Sequence, residues 1–239
     1  MWQSSREGVA ALRRVSLFAD APAPAMERMA ACAAWLQAEP GRLVLDYEDR
    51  TTDVVFVMAG SIRVSVQTAG GGHVRLLGDF HAGEFVGELS AIDGAPRSAR
   101  VETLVRSSLC LVPAEAFLAI TAEVPAVGLR IMRLLSARIR AQTLKLLEQT
   151  ALPIRLRVGA ELLRIARPRA DGTLVISPPP TQEDLANRIG ARRETVSREL
   201  GILTRAGLLQ RTRASIVLRD PAALEAAVRH GLDSGVFLS

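Results

Sequence analysis

The stretch Thr181 to Leu200, TQEDLANRIGARRETVSREL, constrains this chain more than any other. It predicts two short helices separated by a tight turn. Thr181 is a good N-cap, and Asp184 three residues later can answer it as a capping box. Leu185, Ala186 and Ile189 repeat at helical spacing and form a buried stripe. Gly190 closes the first helix and permits a sharp turn. The second helix carries Arg192, Arg193, Glu194, Ser197 and Arg198 near its start, with Val196, Leu200 and Leu203 facing inward. Arg can donate two bonds to guanine O6 and N7, and Glu can accept from cytosine N4, so such a helix suits a DNA major groove. A charged helix face is usually only a solvated one. Here a capped helix, a Gly turn and an RRExxxR helix start precede a Gly-containing turn and an Arg-bearing strand. Together they predict a DNA-reading helix-turn-helix followed by a wing.

The charge is unevenly placed. Residues 151–239 hold 14 basic and 9 acidic side chains, a net of +5, whereas residues 1–150 hold 16 of each. The whole formal excess lies where the helix-turn-helix is expected, which fits a partner with a phosphate backbone. At 239 residues the chain is long enough for two domains. It has no apolar run of membrane-spanning length, and its opening residues lack a secretory h-region, so a cytoplasmic location is expected. Cys32 and Cys110 match no metal or redox spacing and are expected to be buried free thiols. His73, His81 and His230 are scattered, so no metal site is expected.

Residues 1–40 read as short helices, VAALRRVSLF and PAPAMERMAACAAWLQ, broken apart by Pro22 and Pro24. From about Leu43 to Val112 the pattern changes to short β-rich runs: VVFVM, SIRVSVQT, HVRLLGDF, ARVETLV and SSLCLV. Turn signals fall between them at Ala59-Gly60, Gly70-Gly71-Gly72, His81-Ala82-Gly83 and Asp93-Gly94. Ile62, Val64 and Val66 alternate with Arg63, Ser65 and Gln67. The expectation is a compact all-β barrel or roll.

Within the roll, GEFVGELSAIDGAPRSA (83–99) interrupts the strand pattern. Gly87-Glu88-Leu89 can begin a short helix whose backbone N–H groups point outward, a natural place for an anion. Arg97 and Ser98 follow, offering a guanidinium suited to phosphate and a hydroxyl. Glu88 is a good acceptor for a ribose hydroxyl. The residue types equally fit a surface loop closed by a Glu88–Arg97 ion pair.

Pro113 opens a short helix, PAEAFLAI, and Pro125 opens a long one that runs to about Thr150. Met132, Ile139 and Leu146 repeat every seven residues, with Leu135, Gln142 and Gln149 in the alternate seam. That pattern predicts a parallel dimerisation helix whose polar seam residues set register. The other reading is a long helix packed on its own domain. Leu152-Pro153 is the expected hinge, because the residue before Pro leaves helical geometry. A helix IRLRVGAELLRIA and a hairpin turning at Asp171-Gly172 follow. Beyond the recognition helix, LLQRTRASIVLR predicts the wing, with Arg211, Thr212 and Arg213 able to touch phosphates. PAALEAAVRHG ends the chain as a polar helix.

In this order the pieces resemble the cyclic AMP receptor protein and FNR family of bacterial transcription regulators, from about Leu43 to Arg219. FVGELSAIDGAPRSA is similar to that family's phosphate-binding cassette, and TQEDLANRIGARRETVSREL to its helix-turn-helix. The resemblance implies an α+β chain. A jelly-roll-like, cyclic-nucleotide-binding β-roll would occupy 1–124, a long dimerisation helix 125–151, and a C-terminal winged helix-turn-helix 152–239. It implies a homodimer that takes cyclic AMP or cyclic GMP as effector, binds inverted-repeat half-sites in double-stranded DNA, meets RNA polymerase, has no membrane partner and catalyses no reaction. By matching positions, Gly87 and Ser98 would bond the cyclic phosphate, Arg97 would pair with it, and Glu88 would take the ribose 2′-hydroxyl, with Leu89 in the same helix turn. Arg193, Glu194 and Arg198 would read bases in half-sites related to TGTGA. Ser197 is more usual in the FNR branch, Thr181 and Thr195 would hold phosphates, and Arg213 would reach one from the wing. Met132, Leu135, Ile139, Gln142 and Leu146 would form the dimer seam.

The chain departs from the family pattern at two places. Leu146 and Leu147 stand where cyclic AMP receptors supply hydroxyls to the adenine. Arg192 replaces the hydroxylic N-cap of the recognition helix. The base is therefore open among cyclic AMP, cyclic GMP and a larger cyclic dinucleotide, and the alternative expectation is a DNA-binding regulator that works without ligand or answers a non-nucleotide signal.

Overall fold

The computed structural model describes residues 5–67 and 74–236. The expected turn at Gly70-Gly71-Gly72, Thr68 and His73 lie outside the described residues. The chain divides into two compact units, Met1–Ala137 and Arg138–Ser239, and the division falls inside one long helix.

The first unit opens with helices α1 (Ser5–Leu12) and α2 (Ala23–Cys32), separated by a 3-10 turn at Ser16–Phe18. Eight strands follow: β1 (Ala34–Ala38), β2 (Leu43–Leu45), β3 (Val54–Ala59), β4 (Ser61–Gln67), β5 (Val74–His81), β6 (Phe85–Val86), β7 (Arg100–Thr103) and β8 (Ser107–Val112). The helix α3 (Glu88–Asp93) interrupts them, and α4 (Ala114–Glu123) and α5 (Pro125–Ala151) come after. The strands form two four-stranded antiparallel sheets, ordered β1-β8-β3-β6 and β2-β7-β4-β5. The roll expected from the alternating pattern is therefore present.

Strand β3 shows why its sequence is apolar without alternation. Val55 and Val57 join Ile62, Val64, Val101 and Leu109 in a core shared by the two sheets. Val54 and Phe56 face the opposite way, into a second core built with the helices. Successive strand side chains point to opposite faces, and here both faces are covered. Phe56 is the centre of an aromatic cluster, with ring centroids 5.3 Å from Phe18, 5.2 Å from Phe85 and 6.4 Å from Phe117.

Both N-terminal helices differ from the sequence expectation: the first, expected over VAALRRVSLF, ends at Leu12 ahead of a separate 3-10 turn at Ser16–Phe18. The second N-terminal helix was expected to continue through Gln37, but α2 ends at Cys32 and Ala33 is already extended (φ −77°, ψ 138°). Residues Ala34–Ala38 form β1, paired antiparallel with β8 from Ala34↔Leu111 to Ala38↔Ser107. The Gln37 amide also donates to the Ser108 hydroxyl at 3.0 Å. An uncovered edge of β8 would leave its backbone groups unpaired, and that pairing outweighs the helix propensity of the segment.

The second unit contains the end of α5, then α6 (Ile154–Ile165), β9 (Arg167–Pro168), β10 (Leu174–Ile176), α7 (Gln182–Ile189), α8 (Arg193–Arg205), β11 (Leu209–Arg211), β12 (Ile216–Leu218) and α9 (Pro221–Val236). The four strands form one small antiparallel sheet, ordered β11-β12-β10-β9. The expected Asp171-Gly172 turn joins β9 to β10, with Gly172 at φ +80° and its N–H bonded to the Arg169 carbonyl at 2.9 Å. Val158 and Leu162 of α6, Leu185 and Ile189 of α7, and Val196, Leu200 and Leu203 of α8 share one core with Leu209, Ile216 and Leu218 of the sheet. Among the described residues, no helix is long and apolar enough to cross a membrane.

Candidate ligand cassette and nucleic-acid interface

The cassette begins where β6 ends. Gly87 adopts φ +87°, a conformation that L side chains avoid, and caps α3. Glycine is required there for space as well, because a Cβ would lie 2.8 Å from Arg97 Nη1 and 2.9 Å from the Asp53 carbonyl oxygen. Helix α3 closes at Gly94, also left-handed at φ +69°, and the chain returns through Pro96 to Arg97.

Arg97 is 2% exposed. Its Nε donates to Thr51 Oγ1 at 3.1 Å, Nη1 to the Gly87 carbonyl at 3.0 Å and Nη2 to the Asp53 carbonyl at 2.8 Å. A guanidinium has five N–H donors, so these bonds leave one on each terminal nitrogen. The Arg97 backbone is held too, its N–H by the Asp49 carbonyl at 2.8 Å and its carbonyl by the Glu48 N–H at 2.9 Å. Glu48 is itself left-handed at φ +63°. Burial draws the Arg97 guanidinium below its ordinary range, and the negative charges of Asp53, Asp49 and Glu88 oppose that pull.

Glu88 is buried at 4% exposure, while Leu89 and Ser98 of the same cassette face solvent. Arg97 is therefore held against Gly87 at the start of α3, with Glu88 buried near it and Leu89 and Ser98 exposed. Leu146 and Leu147 lie in the second compact unit, on the C-terminal part of α5, at 63% and 37% exposure. Thr51 and Asp53 were not anticipated from sequence. Asp53 acts here through its carbonyl oxygen, which no residue type encodes, and both lie more than forty positions from the arginine they hold.

In the second unit the capping box forms as expected. Thr181 Oγ1 accepts from the Asp184 N–H at 3.0 Å, and the Thr181 N–H donates to Asp184 Oδ2 at 3.3 Å. Leu185, Ala186 and Ile189 are buried, and Gly190 turns the chain at φ +67°. Helix α8 then starts at Arg193, with Arg192 as an N-cap that makes no side-chain capping bond. Arg192, Arg193, Glu194 and Arg198 are exposed, Thr195 and Ser197 are half-buried, and Val196, Leu200 and Leu203 are buried beneath them. One face of α8 is thus polar and exposed, with Arg198 Nε 3.8 Å from Glu199 Oε1, and the other is anchored. In the wing, Thr212 turns out to be a brace. Its hydroxyl accepts from the Ala214 and Ser215 N–H groups at 3.2 and 3.0 Å, while Arg211, Arg213 and Arg219 are exposed, Arg219 donating to the Gln210 amide oxygen.

Met132, Ile139 and Leu146 repeat along α5 at 60%, 67% and 63% exposure, and Gln142 is exposed with them. Leu135 is half-buried and packs on the helical core of the first unit. Among the described residues no group of three or more His, Cys, Asp or Glu gathers as a metal site.

A roll with a glycine-capped cassette, followed by a long helix and a winged helix-turn-helix, is the layout of a transcription regulator. Residues 35–123 match the cyclic nucleotide-binding domain family, and residues 156–227 match the Crp-like helix-turn-helix domain family. The chain belongs to the cyclic AMP receptor protein and FNR family of transcription regulators. It is 29% identical over 185 residues to the cyclic AMP receptor protein of Thermus thermophilus, spanning 77% of this chain and 83% of that one. It is 25% identical over 176 residues to the CRP-like cAMP-activated global transcriptional regulator of Mycobacterium tuberculosis, spanning 72% and 78%. Among solved structures, FixK2 from Bradyrhizobium japonicum superposes with a TM-score of 0.70 at 19% identity, covering 81% of this chain and 96% of that one. A CRP/FNR-family regulator from Eubacterium rectale superposes with a TM-score of 0.68 at 19% identity, covering 91% and 99%. At those identities the structures speak for the fold alone. The relatives matched over most of their own length are transcription regulators, whereas the lysophospholipase NTE1 of Cryptococcus neoformans shares only a 106-residue stretch at 30% identity, 6% of its length.

Proposed function

We propose that this chain is a homodimeric, cytoplasmic transcription regulator whose affinity for DNA is set by a cyclic nucleotide held in the roll. The observation that carries the reading is Arg97. It is buried beside the N-cap of α3, fixed by two backbone carbonyls and a hydroxyl, and retains one N–H on each terminal nitrogen. A buried cation with spare donors beside a left-handed glycine suits a small anion such as a cyclic phosphate. Ser98 and the Gly87 backbone would complete the phosphate grip, and Glu88 would accept from the ribose. The relatives named for cyclic AMP support a nucleotide effector.

On this reading residues 1–124 sense, 125–151 dimerise through Met132, Leu135, Ile139, Gln142 and Leu146, and 152–239 read DNA. Arg193, Glu194 and Arg198 would contact bases of TGTGA-related half-sites in an inverted repeat. Thr181, Arg192, Thr195 and Arg213 would contact phosphates, and Ser197 would face the groove. RNA polymerase would be met on the bound DNA. The nucleotide shifts the regulator towards its DNA-binding state only by its differential affinity for the two states.

One observation favours a second reading. Leu146 and Leu147 present no hydroxyl to a base, which suits a regulator that needs no nucleotide or answers another signal. Calorimetric titration with cyclic AMP and cyclic GMP, repeated with a TGTGA inverted-repeat duplex present, separates the two. Binding of one nucleotide with a rise in DNA affinity supports gating. DNA binding with neither nucleotide bound supports the second reading.

A further inference from the structure

The sequence marks Leu152-Pro153 as a hinge, but the side chains around it are tied together. Glu148, in the last turn of α5, is buried, and both its carboxylate oxygens accept from Arg164 Nη2 of α6 at 2.7 Å. The other terminal nitrogen of Arg164 pairs with Glu161, one turn earlier on α6 and 1% exposed. Glu161 in turn receives Arg188 Nη1 of α7 at 3.4 Å, and Arg188 is itself buried. Two carboxylates and two guanidiniums thus form an alternating, charge-neutral chain from α5 through α6 to the first helix of the helix-turn-helix.

The corner is also packed. Leu152 is 4% exposed in a small cluster with Ala160 and Val228, and a Cβ on Gly231 of α9 would lie 2.8 Å from it. The Leu152 N–H still bonds to the Glu148 carbonyl at 3.0 Å. A second ion pair, Arg155 Nε to Glu199 Oε2 at 2.8 Å, joins α6 to α8.

Buried charges contribute little net stability compared with apolar residues of the same shape, but breaking one partner away is costly because it strands the other. Swinging the end of α5 off α6 would strand Glu148 and leave Arg164 half-paired. That asymmetry penalises bending without rewarding any other arrangement. We propose that the α5–α6 corner is locked rather than hinged: the Glu148–Arg164–Glu161–Arg188 chain makes the last turn of α5, α6 and α7 one rigid body, so that displacement of α5 is passed undiminished to the DNA reader. What displaces α5 rests on the gated reading above; the rigidity does not.

Amide hydrogen exchange on the full-length chain tests the lock without nucleotide or DNA. In the wild type, amides of residues 148–152 should exchange within tenfold of those in the centre of α6, residues 158–163. Glu148→Gln should speed exchange at the corner at least tenfold and leave the roll unchanged. Arg164→Lys, which keeps a charge but cannot span both carboxylates, should do the same if Glu148→Gln fails to fold. Corner amides exchanging a hundredfold faster than α6 in the wild type, or no acceleration in a folded variant, would overturn the proposal. A second readout takes cyclic AMP as probe. Arg164→Lys should leave its affinity within twofold while the rise in DNA affinity that it causes falls at least tenfold. A wild type that shows no such rise would count against gating, and the exchange result would still decide the lock.

Discussion

Arg97 Nη2 donates to the carbonyl oxygen of Asp53 at 2.8 Å, so the residue expected to take a ligand's phosphate also holds the backbone of its own roll. Replacing it removes the ligand's counter-charge and leaves the Gly87 and Asp53 carbonyls without this donor. A buried polar group deprived of its partner costs about 1–3 kcal/mol. Arg97→Met should therefore abolish cyclic-nucleotide binding in calorimetry and also destabilise the first unit by at least about 2 kcal/mol in urea unfolding. Thr51→Val separates the two roles. It removes one bond to Nε and keeps the cation, so stability should fall by about 1 kcal/mol while nucleotide affinity changes only a few-fold.

Thr181 likewise has two roles, and they can be divided. Its hydroxyl closes the capping box with Asp184 while the residue stays exposed at the proposed phosphate-facing end of α7. Thr181→Ala should cost about 0.5–2 kcal/mol of stability in the second unit. Thr181→Asp preserves the cap and should unfold within about 0.5 kcal/mol of the wild type. It also places a negative charge against the DNA backbone, so its DNA affinity should fall below that of Thr181→Ala. Equal DNA affinities in the two variants would remove Thr181 from the phosphate contacts.

Cys32 and Cys110 differ in environment, although the sequence suggested two buried thiols. Cys32 ends α2 in the open, whereas Cys110 is buried in β8. Burial pushes the Cys110 thiol up to about 12. Reaction needs the thiolate and access, and Cys110 has neither at neutral pH. A thiol reagent should therefore modify one cysteine in the folded protein, and peptide mapping should place the label on Cys32. The second should react only after denaturation. Rapid labelling of both under native conditions would contradict the packing around Phe56.

The parts legible in the sequence were those written locally. The capping box, the Gly190 turn and the stripe of Leu185, Ala186 and Ile189 all fall within ten residues, and each took the geometry its chemistry required. Gly87 and Arg97 were legible for the same reason, ten residues apart in one loop. What the sequence did not reveal depends on distant partners. Ala34–Ala38 became a strand because β8, more than sixty positions away, needed an edge. Thr51 and Asp53 acquired their role only when folding brought Arg97 to them. Glu148, Glu161, Arg164 and Arg188 read as ordinary helix charges until α5, α6 and α7 were packed together. Thr212, expected at a phosphate, is spent on its own turn.

The exposed repeat on α5 gives a direct test of the dimer. Ile139 is 67% exposed with Met132 and Leu146 seven residues to either side, an arrangement that an isolated chain leaves uncovered. Ile139→Glu would bring two like charges together in a parallel seam. Sedimentation should show a dimer for the wild type and a monomer for this variant. Circular dichroism should remain unchanged, because the residue contributes to neither of the two large cores. A variant that stays dimeric would place the interface elsewhere.

Arg193 and Arg213 are both exposed cations of the reader, but they stand on different elements, and that should give them different signatures. Arg193 opens α8, with Val196 and Leu200 fixing the helix behind it, so its guanidinium is carried on a rigid support. Arg213 sits in the wing turn braced by Thr212. A bidentate contact to guanine is worth about 1–3 kcal/mol of discrimination, so Arg193→Ala should relax specificity at one guanine by that amount. It should change affinity for unrelated DNA far less. A phosphate contact carries no sequence information but releases a counter-ion. Arg213→Ala should weaken all duplexes alike and reduce the slope of log affinity against log salt by about 1. Fluorescence anisotropy on a TGTGA inverted repeat, a single-guanine substitution of it and a scrambled duplex, across a salt series, measures both quantities. A uniform loss for Arg193→Ala would make it a phosphate contact, and a base-specific loss for Arg213→Ala would place the wing in a groove.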